Sequence, residues 1–208
     1  MTLMHPRNLP AAVLAVVAAY LMWLAPDRVF GIDSGVLGSA LLLATAWLVV
    51  WLWRRVAAVA EDHASLGQQL ALLGFGFSLA IGISFVTRLQ RLGWSLDASS
   101  AETWVLGRNM LLMLILWPVS AAILRALRRD EGIEDERDRA IATRASAHAY
   151  SALAIAVIAL IVHLGFGGAA FQALATPVSV AHWLIGLLIL STIAEHLSAT
   201  LQYRRDQP

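Results

Sequence analysis

Six apolar runs, each near the length needed to cross a bilayer, leave this chain few ways to fold. They lie at approximately 9–25, 36–53, 66–87, 109–124, 147–166 and 179–201. A spanning helix needs about 20 largely apolar residues, because the hydrocarbon is roughly 30 Å thick and each helical residue rises about 1.5 Å. With 59% hydrophobic residues, 14% charged residues and a mean hydropathy of +0.71, the 208 residues are far more apolar than those of a soluble domain. The expected fold is all-α and integral to the membrane, a single domain over 1–208 built as a six-transmembrane-helix bundle in contact with lipid.

The fourth run is short, but Arg108 and Arg125 at its ends can snorkel to the headgroups. Ser99 with Glu102 has the form of a capping box that starts the helix before the membrane, and Trp117-Pro118 predicts a kink in its middle. The first run has Arg7 ahead of it, as in a signal peptide. Pro26-Asp27-Arg28 stands where a small-residue cleavage site would be needed, so an uncleaved span is expected.

An even number of spans puts both termini on one side. That side would carry Arg7, Arg54, Arg55, six arginines between the fourth and fifth runs, Arg204 and Arg205; the other would carry Arg28, Arg88, Arg91 and Arg108. Eleven arginines against four predict that both termini are cytoplasmic. Trp23, Trp94, Trp104 and Trp183 then fall near the outer interface, with Trp51 and Trp53 near the inner one.

The densest charge lies at 125–148, six arginines and six acids that sum to zero. Asp135 with Arg139 is an i,i+4 pair, and Glu134 with Arg137 and Glu136 with Arg139 are i,i+3 pairs, each adding a few tenths of a kcal/mol to a helix. Ile133, Arg137, Ala140, Ile141, Arg144 and His148 would share one face. A charged juxtamembrane helix over 125–148, continuing into the fifth span, is therefore expected in the cytoplasm. One reading is a solvated, self-paired extension that anchors topology. The other is a docking surface for a cytoplasmic protein, formed by Glu134, Asp135, Glu136, Arg137, Asp138 and Arg139, whose balanced charge would pair specifically without attracting anionic lipid. The arginines form no free basic face, so direct nucleic-acid binding is not expected.

The stretch Glu134-Asp135-Glu136-Arg137-Asp138-Arg139-Ala140-Ile141, followed by small residues and Tyr150, resembles the Asp-Glu-Arg-x-x-x-Ile signature of small prokaryotic multi-pass membrane proteins of unknown function. Some of those are encoded beside helix-turn-helix regulators. The resemblance covers about 134–161, an eighth of the chain. It implies a bacterial inner-membrane protein and a regulatory partner, and carries over no catalytic residues.

His148 and His163 in the fifth run are 15 residues apart, and His182 and His196 in the sixth are 14 apart. Each pair then lies on about one helix face, about 21 to 22 Å apart along the axis. In antiparallel helices His148 would be level with His196, and His163 with His182, the placement two bis-histidine haems need. Without cysteine no c-type attachment exists, so haem b is the form left open. Ala145, Ala149, Ala152, Ala156 and Ala159 form a small-residue stripe toward His163, and Gly74, Ser78 and Gly82 form another in the third run; both are also what ordinary helix packing in membranes uses. His63, His148, Glu195 and His196 are an alternative metal set, though no metal site is the leading expectation. Glu195, an acid within an apolar run, is either functional or paired with His196, His148 or an arginine of the charged segment.

The phosphate-loop, zinc-protease, nucleophile-elbow and dinucleotide-binding patterns are missing, so catalysis is not the leading expectation. That leading expectation is a small inner-membrane scaffold or regulatory protein, requiring no cofactor, that engages a cytoplasmic partner through 125–148. A b-type di-haem electron-transfer protein is the alternative, and an accessory subunit of a larger membrane complex, in homo- or hetero-oligomeric form, is a third.

Overall fold

The structure, a computed structural model, describes residues 9–25, 28–57, 65–93, 96–127 and 136–205. Its residues divide into two compact units, 1–69 and 70–208.

In the first unit, α1 (Leu9–Trp23) is an apolar helix of 15 residues. It stops where the N–H groups of Leu24 and Ala25 both turn to the Tyr20 carbonyl. A two-residue hairpin follows, β1 (Arg28–Val29) paired antiparallel with β2 (Ile32–Asp33). Its turn places both Phe30 (φ 52°) and Gly31 (φ 80°) in the left-handed region, as a tight hairpin turn requires. This hairpin is a departure from the purely helical expectation, and Gly31 is its only local signal. Asp33 then caps α2 (Ser34–Ala57), its Oδ1 accepting the Val36 N–H at 3.0 Å. Gly38 lets α2 approach α1 closely: a Cβ there would lie 2.5 Å from the Met22 side chain and 2.8 Å from the Ala18 carbonyl.

The second unit is built from α3 (Leu66–Leu92) from Leu70 onward, α4 (Ala101–Leu127), α5 (Glu136–Phe166), the short α6 (Ala169–Leu174) and α7 (Pro177–Arg205). Ser65 caps α3 through the Gln68 N–H at 3.1 Å. Before α4 the expected capping box is replaced by an aspartate turn. Asp97 Oδ1 accepts the Ser99 N–H at 2.9 Å, and Oδ2 accepts the Ser99 hydroxyl at 2.6 Å. The Ser99 hydroxyl is thus turned back to Asp97, and α4 starts at Ala101 and continues through Pro118.

α7 is the shared wall of this unit. Thr103 and Trp117 of α4 reach His182 and His196 of α7 in the same order, so those two helices run parallel. Against α3 the order reverses, Gly74 with His196 and Phe85 with Gly186, and it reverses again against α5, Asp138 with Tyr203 and Ala149 with Ser191. Where these helices meet, Ala71, Ile141, Ala145, Ala199 and Tyr203 form a buried cluster in which Ile141 is fully covered.

Among the described residues, α2, α3, α4, α5 and α7 are long and apolar enough to cross a membrane, and α1 is shorter. The outward faces support that setting. Leu111, Leu112, Ile115 and Val119 of α4 and Ile155, Ile158, Ile161 and Val162 of α5 are all exposed. Side chains as apolar as these match lipid tails, whereas a water-facing surface rarely carries such continuous patches. The 31 residues of α5 span about 46 Å, more than the roughly 30 Å of hydrocarbon requires.

Candidate functional site

α7 carries most of the polar groups inside the second unit, and its start is firmly tied. Thr176 is the cap, its Oγ1 accepting the Ser179 N–H at 3.1 Å, and Pro177 occupies the first helical position, where a missing N–H costs nothing. Ser179 is fully buried, and its Oγ accepts the Leu96 N–H at 3.3 Å, joining the chain ahead of α4 to the start of α7.

One turn further, His182 is buried between α7 and α4. Its Nδ1 lies 2.9 Å from the Val178 carbonyl and its Nε2 lies 3.0 Å from the Thr103 carbonyl. A neutral imidazole has one N–H and so satisfies one of these oxygens at a time. Gly107 leaves room for the ring, since a Cβ there would be 3.1 Å from Nε2.

His196 is turned toward α3 and α4. The Trp117 indole N–H donates to its Nε2 at 3.1 Å, and the two rings meet edge-on at 6.0 Å. Because indole nitrogen only donates, Nε2 must be the bare nitrogen, and the neutral ring carries its proton on Nδ1. Gly74 makes this possible: a Cβ there would sit 2.6 Å from the imidazole, too close for any other residue to leave the ring in place. Trp117 also stacks on Phe77, with centroids 5.1 Å apart.

These groups wall a cavity of 240 Å³ between α3, α4 and α7. Phe77, Ile81, Met113, Trp117 and Ile189 give it an aromatic and aliphatic body, while Arg125, Glu195 and His196 bring polar groups to it. Glu195 is half-buried and its Oε1 accepts the Ser146 hydroxyl at 3.1 Å, so the partner shown for this acid is a serine of α5. Chemically, the arrangement can hold a compact apolar molecule with a polar edge.

The four histidines expected to pair across α5 and α7 are level but not brought together. His148 meets α7 at Ser198, with Nδ1 and Oγ 2.7 Å apart, two residues and so about 200° round the helix from His196. His163 is exposed, its Nδ1 against its own helix at the Ala159 carbonyl (2.8 Å) and its ring tilted on Phe171, which stacks on Trp183. His182 and His196 point to α4 and α3, away from both. No three of the histidine, aspartate and glutamate side chains among the described residues converge as a metal site, and His63 lies outside those residues.

Of the charged segment, Glu134 and Asp135, with the rest of 128–135, lie outside the described residues. Glu136, Arg137 and Arg139 open α5 and are exposed. Asp138 is half-buried, and its Oδ1 accepts the Tyr203 hydroxyl of α7 at 2.9 Å. Sequence reasoning missed Gly74 and Phe77 as parts of a site and took Trp117 only as part of a kink. The available signal was a tryptophan in mid-run, away from the interfaces where membrane tryptophans concentrate.

Fold and site define a multi-pass helical membrane protein with a polar-edged cavity between α3, α4 and α7. The chain belongs to the family described as predicted membrane protein (DUF2178), whose model matches residues 70–206, nearly all of the second unit. Comparison with curated proteins finds no match, and comparison with solved structures finds none either.

Proposed function

We propose that this is a small regulatory or scaffold protein of the bacterial inner membrane, crossing it six times with α1 included and both termini cytoplasmic, that engages a cytoplasmic protein through the charged start of α5. The eleven-to-four arginine asymmetry supports that orientation. The observation that carries the reading is the fixing of this charged end. α5 runs unbroken from Glu136 into its apolar half, and Tyr203 grips Asp138 while Ile141 is fully buried. Glu136, Arg137 and Arg139 are thereby presented on a helix whose angle is set by α7, and a partner would meet a preorganised surface rather than a tail that must be ordered on binding.

The test is a charge reversal, Arg137→Glu with Arg139→Glu, read by co-purification of a soluble protein from the native host. The expected result is loss of that protein with membrane insertion intact. Unchanged co-purification, or reporter fusions that place residue 138 in the periplasm, would overturn the reading.

A further inference from the structure

We infer that the cavity between α3, α4 and α7 is a binding site for a neutral, single-ringed molecule whose ring oxygen accepts a hydrogen bond, the chemistry of a quinone-type carbonyl head. Size sets the scale. At 240 Å³ the cavity exceeds the roughly 150 Å³ hole that holds benzene and falls short of the roughly 300 to 1,000 Å³ of pockets for larger ligands, so one substituted ring fills it. The wall suits a flat guest, because the stacked Phe77 and Trp117 offer aromatic surface with Met113 and Ile189 beside it.

Among the uncharged side chains that line the cavity, the polar contact is specified by elimination. Ser78 and Thr192 line the cavity, but their hydroxyls donate to the Phe75 and Ile189 carbonyls of their own helices, at 3.2 and 2.8 Å. His196 uses Nε2 to accept from Trp117, which puts its proton on Nδ1, and among the described residues Nδ1 has no hydrogen-bond partner. A ligand carbonyl seated in the cavity gives this donor an acceptor. Charge selects further: Arg125 and Glu195 line the same cavity with opposite signs, so neither an anion nor a cation finds net compensation for leaving water, and a neutral head does not need it. The cavity takes its ligand whether or not α5 docks a partner.

The experiment is calorimetric titration of the full chain in nanodiscs with a tail-less methylated para-benzoquinone, compared with a methylbenzene of the same size. The chain has no cysteine, so addition of thiols to the quinone cannot imitate binding. Saturable binding of the quinone is expected, with the methylbenzene about ten-fold weaker for want of the hydrogen bond. His196→Phe should lower quinone affinity about ten-fold while leaving methylbenzene binding unchanged, which also reports that the cavity is intact. Ala121→Leu, on the α4 wall, should abolish binding of both rings and stands in if His196→Phe does not fold. Given that pattern, displacement of the tail-less ring by a decyl-tailed quinone loaded into the bilayer assigns the membrane as the source of the ligand, and failure to displace assigns the aqueous side. Equal affinity for the two rings, no saturable binding by the folded protein, or His196→Phe without effect on the quinone would each overturn the proposal.

Discussion

Helices α5 and α7 each carry two histidines about four turns apart, and the two helices lie antiparallel, yet their histidines do different things. On α7, His182 is buried against the Thr103 carbonyl and His196 is held by the Trp117 indole. On α5, His148 and His163 are exposed and reach a neighbouring hydroxyl and their own helix. Spacing along a helix sets the height of a side chain. The direction it takes is set by where the neighbouring helix is small enough to receive it, and α3 and α4 offer that at Gly74 and Gly107.

The comparison breaks first, if it is to break, at the histidines themselves. His182→Ala is expected to cost about 2–4 kcal/mol, combining a buried void with the loss of the imidazole's hydrogen bond, whereas His163→Ala should stay within about 0.5 kcal/mol. Reversible unfolding in detergent measures both, and similar losses would mean that the two helices do not differ in this way.

A second contrast lies within one helix. Gly74→Ala should destabilise by about 1–3 kcal/mol, because the new methyl collides with the His196 ring. Gly76→Ala, where nothing lies within 4 Å, should instead stabilise by about 0.5–1 kcal/mol through helix propensity. Equal signs for the two would remove the reason given for the orientation of His196.

Tyr203→Phe sharpens the α5 side of the comparison. Losing the hydroxyl that holds Asp138 should cost about 0.5–1.5 kcal/mol and raise hydrogen exchange in the first turns of α5, with the rest of that helix unchanged. Exchange that stays as it was would show that the charged end is not held from α7.

The smallest effect is local and depends on acidity. The Ser99 hydroxyl, then its N–H, hydrogen-bonds the Asp97 carboxylate and holds this carboxyl below the usual aspartate range. A depressed value contributes stability above the ordinary aspartate range, and that contribution fades as pH falls through the folded value. Ser99→Ala should move the Asp97 midpoint, followed by carboxyl NMR, back upward; an unmoved midpoint would discount the hydroxyl.

Much of the architecture was legible in the chain because bilayer thickness imposes run length, and the apolar runs at 36–53, 66–87, 109–124, 147–166 and 179–201 each fall within a long apolar helix. The stripe of Gly74, Ser78 and Gly82 was legible too, since close helix approach in lipid demands small residues, and α7 packs there. The hairpin at Phe30-Gly31 was not, because two-residue strands leave no periodicity to detect. The cavity was not either. It depends on the rotation of α4 that brings Trp117 to His196, and rotation about a helix axis leaves no trace in a run that is apolar on every side.

The imidazole of His196 offers the most direct test. Nitrogen-15 NMR of histidine-labelled protein, with the resonance assigned by its loss in His196→Gln, reads which ring nitrogen carries the proton. The bond from Trp117 predicts the Nδ1–H tautomer, converting to a mixture in Trp117→Phe. A pure Nε2–H tautomer, unaltered by Trp117→Phe, would contradict the placement of His196 between α3 and α4, and with it the donor assigned to the ligand.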